Sequence, residues 1–136
     1  MAVSLNVDLG EREDEPEELY SFATLVNVAC GGHAGDERSI ERALRSAARA
    51  GTSVAAHPSY ADRAGFARTS LPFDASGLSQ SLRSQLSTLR LIARALGVPV
   101  VAVKPHGALY HDAAENADVA AIVFDVAREV LGRSLA

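Results

Sequence analysis

The side chains able to do chemistry in this chain are few, and most follow short apolar runs. The four histidines are His33, His57, His106 and His111. Asp8 closes the first apolar run and Glu11 follows it, while Asn27 and Asp36 flank the end of the second. Imidazoles and carboxylates exchange protons in the range where hydrolytic chemistry runs. A carboxylate with two or three imidazoles from separate segments also suits a divalent transition metal, which lowers the pKa of bound water. Asp8, His33 and His57 are the candidate ligands. No His-x-x-x-His pair or other compact ligand spacing is present, so a metal depends on distant segments converging.

Lys104 is the only lysine among 13 cationic side chains, and it follows the run Val98-Pro99-Val100-Val101-Ala102-Val103. A lysine at that place is expected to be largely buried and close to a carboxylate, Asp8 or Glu11. There it either pairs for structure alone or stabilises developing negative charge. Cys30, the single cysteine, has no activating neighbour in sequence and reads equally as a small buried thiol. The acidic run from Glu11 to Glu18 reads as a solvated loop or helix start beyond Glu11 itself. Gly31-Gly32-His33-Ala34-Gly35-Asp36 could present backbone N–H groups to an anion, but no G-x-x-x-x-G-K-[ST] sequence occurs.

These residues need elements that bring them to one place. Val3–Leu9, Thr24–Cys30, Ser53–Ala56 and Val98–Val103 read as strands buried on both faces. Between and after them, Ile40, Ala43, Leu44, Ala47 and Ala48 mark an amphipathic helix. Leu78, Leu82, Leu86, Leu89, Ala93 and Leu96 mark a second, and Ala120, Val123, Phe124, Ala127 and Leu131 a third. Gly51, Gly97 and Gly132 are placed to end these helices, and Asp36, Asp74 and Asp112 to begin them. Alternating strands and helices predict a parallel α/β sheet whose strand ends gather the site on one face. Residues 58–75 form a long aperiodic connection, a length usually tied to function.

The length of 136 residues suits a single domain spanning 1–136, and 48% apolar content supports a core. A formal charge of −4 argues against a nucleic-acid partner. The absence of a basic leader or long apolar run argues against a signal peptide or membrane span. With one cysteine, the cytoplasm is the expected compartment.

Five blocks carry a resemblance to a known family: Leu5-Asn6-Val7-Asp8-Leu9-Gly10-Glu11; Asn27 through Asp36; Ala56-His57-Pro58-Ser59-Tyr60; Asp62 with Gly65-Phe66; and Val103-Lys104-Pro105-His106-Gly107-Ala108-Leu109-Tyr110. In this order they resemble the LamB/YcsF family, the family of the 5-oxoprolinase A subunit. The resemblance implies a distorted seven-stranded parallel β/α barrel, related to the carbohydrate deacetylases, of which this chain is about the N-terminal half. It further implies cleavage of 5-oxoproline to glutamate with ATP and Mg²⁺, shared with subunits B and C. The catalytic groups implied are Asp8, Glu11, His57, Lys104 and His106, with His57 or Asp8 activating water and Lys104 with His106 facing the oxyanion or acyl phosphate. Asn6, Asn27, His33, Asp36, Tyr60 and Tyr110 are the expected substrate contacts. Two other readings stand beside it: a metal-dependent deacetylase or amidohydrolase working without ATP, and a non-catalytic piece completed by another chain or by a copy of itself as a homo-oligomer. Ser4, Ala67, Thr69 and His111 depart from the family's usual residues.

Overall fold

The computed structural model describes residues 2–132. Along them run β1 (Asn6–Leu9), α1 (Glu18–Phe22), β2 (Leu25–Ala29), α2 (Glu37–Ala50), β3 (Ser53–His57), α3 (Ala75–Leu96), β4 (Val100–Val103), α4 (Gly107–Glu115) and α5 (Ala117–Leu131). The four strands pair in parallel in the order β1-β2-β3-β4, which is the α/β class expected. No helix among the described residues is long and apolar enough to cross a membrane.

Only the central strands match the expectation of strands buried on both faces. In β2 and β3 all but the first residue are buried, whereas β1 and β4 are mostly part-exposed. They are the sheet edges, and an edge strand has a neighbour on one side only. For the same reason the expected start at Val3 is too early: Val3 and Leu5 are exposed and the ladder begins at Asn6.

The register brings the strand ends level. Asp8 lies opposite Asn27, and Ala29 opposite His57. Between β3 and β4 the pairing slips after Val54, so Val100 faces Val54 but Ala102 faces Ala55. Such a slip re-aims the residues beyond it, and the Lys104 N–H then donates to the Ala56 carbonyl at 2.9 Å.

Helices α2 and α3 begin and end as expected. Asp36 and Ser39 form a reciprocal cap, Asp74 accepts from the Gly77 N–H, and Gly51 and Gly97 adopt left-handed backbone at φ 70° and 68°. Their apolar stripes, Ile40, Ala43, Leu44 and Ala47 on one and Leu82, Leu86, Leu89 and Ala93 on the other, are buried in one core with Val26, Val28, Val54 and Ala56.

Helix α5 departs from expectation. It buries Val119, Val126, Ala127 and Val130, while Phe124 is exposed beneath the Arg128 guanidinium. This segment is apolar around most of its circumference, so periodicity alone does not fix which stripe meets α3. Asp112 is not its cap. That residue lies inside α4, and Asn116 caps α5 by accepting from Asp118 and Val119 N–H groups. Gly132 has φ 91° and ψ 179°, which is not the left-handed helix-ending conformation. Two helices, α1 and α4, were not legible as separate elements. α1 is only 5 residues long, and α4 has a weak apolar stripe of Ala108 and Leu109 alone.

The long connection is a built turn. The Ala67 N–H closes on the Asp62 carbonyl at 2.8 Å, with Phe66 and Ala67 both at positive φ. Ala67 is fully buried, and its carbonyl accepts the Ala108 N–H at 3.0 Å, fastening this turn to the start of α4.

Candidate functional site

The loops leaving β1, β2, β3 and β4 meet around Glu11, His33, His57 and His106. One ligand atom from each lies within 4.8 Å of the others. Glu11 is held there by a residue the sequence left in a solvated loop. The Glu15 carboxylate accepts the N–H groups of Gly10, Glu11 and Arg12 at 2.8, 2.8 and 3.0 Å, folding the chain back at Gly10, whose φ is 75°. Nothing in the run of acids marks Glu15 in advance.

Two backbone carbonyls set the histidine tautomers. His57 Nδ1 lies 2.7 Å from the Lys104 carbonyl and His106 Nε2 lies 2.9 Å from the Phe66 carbonyl. A carbonyl only accepts, so both nitrogens carry hydrogen. In the neutral rings the remaining nitrogens, His57 Nε2 and His106 Nδ1, then present lone pairs to each other at 3.1 Å. Two lone pairs repel, so that arrangement calls for a proton or a cation between them. Glu11 Oε1 stands 3.7 Å from His57 Nε2 and 3.6 Å from His106 Nδ1, and Asp8 Oδ2 lies 3.4 Å from His57 Nε2.

This donor set fits a divalent transition metal. Two ligands at about 2.0–2.1 Å in tetrahedral array stand about 3.3 Å apart, close to these spacings, and outer N–H groups given to carbonyls are the usual support for metal-bound imidazoles. Of the expected ligands, Asp8 lies outside that group of four, whereas His57 belongs to it and so does His33. The His33 Nε2 is 2.8 Å from Glu11 Oε1, a hydrogen bond, and its ring stacks on His106 at 3.6 Å with 4° between planes. Phe66 packs edge-on against both rings. Two buried atoms, Asn27 Oδ1 and His33 Nδ1, have no hydrogen-bond partner among the described residues, a pattern found where a ligand or water completes a site.

Beside the histidines lies the Asp8–Lys104 pair. Lys104 Nζ reaches Asp8 Oδ1 at 2.8 Å, and Asn27 Nδ2 donates to the same oxygen at 2.7 Å. Lys104 is near a carboxylate as expected, but it is not largely buried: its side chain is 37% exposed, because β4 is an edge strand. Burial opposes ionisation of Asp8, yet hydrogen bonds from His57, Lys104 and Asn27 outweigh it and hold the carboxyl well below its usual range. Glu11 is likewise lowered, with burial overcome by the hydrogen bond to His33 and the charges of the three imidazoles. Burial lowers His106, with His33 and His57 adding to it, against a hydrogen bond to the Phe66 carbonyl.

The remaining expected residues divide. Asn6 accepts from Asn27 and so joins the Asp8 group. Asp36 caps α2 instead of turning toward the histidines. Tyr60 donates to Asp112 at 2.5 Å and lines a separate apolar groove of about 420 Å³ with Leu71 and Phe73. Tyr110 and His111 lie edge-on to each other at 5.6 Å on α4, both exposed, outside the converging group. Burial pushes the Cys30 thiol up to about 12, so it stays protonated and is no nucleophile at neutral pH.

Comparison with known proteins identifies the family and the fold. The family model described as LamB/YcsF matches residues 3–135. The chain is 40% identical over 126 residues to the 5-oxoprolinase A subunit of Carboxydothermus hydrogenoformans, covering 89% of this chain and 50% of that protein. It superposes on the crystal structure of the lactam utilization protein from Thermus thermophilus with a TM-score of 0.88 and 31% identity, over 95% of this chain and 54% of that one. The chain thus spans about half the length of these relatives. With its sequence matched nearly end to end by the family model, the chain belongs to the LamB/YcsF family.

Proposed function

We propose that this chain forms the strand-end half-site of a 5-oxoprolinase A subunit, opening 5-oxo-L-proline to L-glutamate with ATP and Mg²⁺, alongside subunits B and C in the cytoplasm. The observation that carries the reading is the convergence of Glu11, His57 and His106 with the Asp8–Lys104 pair at the ends of one parallel sheet. An unstrained lactam needs its carbonyl activated, a water aimed at it and a proton given to the leaving nitrogen. His57 suits water activation: with Nδ1–H held by the Lys104 carbonyl, its Nε2 is the basic atom and faces Asp8 and Glu11. Asp8, ionised and bound to Lys104, lies 3.4 Å from that nitrogen and is the other candidate base. The Lys104 ammonium and His106 stand where negative charge on the carbonyl oxygen, or on an acyl phosphate made with ATP, would be met. Asn6, Asn27 and His33 complete the wall, while Asp36, Tyr60 and Tyr110 stand outside it.

The test is glutamate formation from 5-oxoproline, ATP and Mg²⁺ by the chain alone, with subunits B and C, and by a full-length A subunit with the same partners. The chain alone is expected to be inactive, because an open four-stranded half leaves water in the cleft and weakens each electrostatic contact. Glutamate made by the chain alone at the full-length rate would overturn the reading.

A second reading is favoured by the Glu11, His33, His57 and His106 cluster: a metal-dependent amidohydrolase or deacetylase that needs no ATP. His57, His106 and Glu11, with Asp8 beside them, would hold the ion, and His33 would orient Glu11. When bound, the metal would supply an acidified water and polarise the carbonyl. Stoichiometric zinc or manganese in the purified chain, with amide hydrolysis independent of ATP, would decide for it.

A further inference from the structure

Next to the histidine cluster, and sharing Glu11 with it, is a polar recess of about 290 Å³ walled by Arg12, Arg38, Arg42, Arg63, Glu13 and Asp36. The arginines come from three places: the loop after β1, successive turns of α2, and the loop after β3. We propose that this recess binds the oxyanion end, carboxylate or phosphoryl, of a ligand whose other end reaches the histidines. The recess itself stands on the arginines, and only the direction in which the ligand points rests on the function proposed above.

Some charges in the wall are already answered and others are not. Arg12 is paired with Asp14 at 2.9 Å. The Asp36 carboxylate accepts the Ser39 N–H at 2.8 Å but keeps its charge, and Glu11 is turned toward His33. Arg42 and Arg63 are held in place, but by carbonyls. Arg42 Nη2 donates to the Arg12 carbonyl at 3.2 Å, and Arg63 Nη1 to the carbonyls of Gly35 and Gly31 at 2.7 and 3.2 Å. A carbonyl fixes the direction of a guanidinium without cancelling its charge. Arg38 and Arg42 share one face of α2, four residues apart. None of Arg38, Arg42 and Arg63 has an ion-pair partner among the described residues.

Arg42 and Arg63, fixed in direction and without a direct ion pair, present planar N–H donors beside Arg38, the geometry that takes a carboxylate or phosphate by two parallel hydrogen bonds. The wall still carries the Glu13 and Asp36 carboxylates, so the recess favours a compact, multiply bonded anion over diffuse negative charge. Glu11 lies on the boundary of both sites, which puts an anion held here within one small molecule's length of His57 and His106.

The test is a titration of the ¹⁵N-labelled 136-residue chain followed through arginine Nε–H resonances, with sodium pyrophosphate, 5-oxoproline and 2-pyrrolidinone as separate probes. 2-Pyrrolidinone is the same lactam without the carboxylate. The expected result is saturable movement of Arg38, Arg42 and Arg63 with pyrophosphate, 5-oxoproline or both, and none with 2-pyrrolidinone. Pyrophosphate alone identifies a phosphoryl site, and 5-oxoproline a carboxylate site. Arg38→Ala with Arg42→Ala should weaken the effective probe by about tenfold or more, given the strength of charge-assisted hydrogen bonds, with the amide spectrum otherwise retained. Equal movement of Arg45, Arg94 and Arg128, an equal response to 2-pyrrolidinone, no response to either anion, or unchanged affinity in the double variant would each overturn the proposal. Absence of glutamate formation in the reconstituted complex, with these shifts intact, would instead count against the proposed function alone.

Discussion

Replacing Gly107 by alanine tests how the site is fastened to the fold. Gly107 opens α4 directly after His106, with φ at 56°. An alanine there meets a left-handed penalty of about 1 kcal/mol. Its Cβ would also lie 2.5 Å from the Ala67 carbonyl oxygen and 3.3 Å from the carbonyl carbon. Both atoms are backbone, so the turn at Phe66 and Ala67 must move away from α4. That motion breaks the 3.0 Å bond from the Ala108 N–H to Ala67, and strands a carbonyl beside the buried Ala67 side chain at a cost of about 1–3 kcal/mol. The total is about 3 kcal/mol, a large share of the stability of an ordinary domain. Gly51 provides the control: its φ is 70°, yet an added Cβ meets nothing within 4 Å, so Gly51→Ala should cost only about 1 kcal/mol. Urea denaturation of both variants measures the difference. The His106 pKa, followed by NMR, should rise toward its ordinary 6.5 as the ring loses burial and leaves the His33 stack. If Gly107→Ala is no less stable than Gly51→Ala, the contact between this turn and α4 does not hold the site.

Acid should destabilise the chain in two stages. Protonation of His106 is disfavoured in the fold, so its contribution is complete above its ordinary 6.5 and declines as pH falls from there through the lowered folded value. Asp8 and Glu11 contribute fully above their ordinary 3.8 and 4.5, and that contribution is lost as pH falls through their depressed folded values; Asp8→Asn and Glu11→Gln should flatten the second stage in urea titrations, and unchanged curves would refute the assignment. Zinc or manganese at about one hundred times its dissociation constant should raise stability by about 2.7 kcal/mol, measured by thermal melting, and His57→Ala or His106→Ala should abolish the gain while Cys30→Ala leaves it. Lys104→Met should leave the fold intact, since its side chain is part-exposed on an edge strand, and should abolish turnover in the complex with subunits B and C; near-normal turnover would remove Lys104 from the chemistry.

Much of this arrangement could be read directly from the chain. The parallel order follows from strand and helix signals in alternation, and parallel strands put Asp8, His33, His57, Lys104 and His106 at one end of the sheet whatever the details of packing. The caps and ends of α2 and α3 were equally legible, because Asp and Gly act through bonds to residues three or four positions away. What sequence could not supply depends on contacts between distant segments. The slip after Val54, the turn that seats Ala67 under α4, the stripe that α5 buries and the three bonds made by Glu15 have no local signature. Nor does the choice between Glu11 and Asp8 as nearest neighbour of the imidazoles, since both carboxylates lie at the end of the same strand. Lys104 meets Asp8 although β4 and β1 are opposite edges of the sheet, a contact that only the folded chain makes. The histidine tautomers, on which the site's proton chemistry turns, are set by two backbone carbonyls, and every residue has a carbonyl. Only the folded chain decides which ones an imidazole will meet.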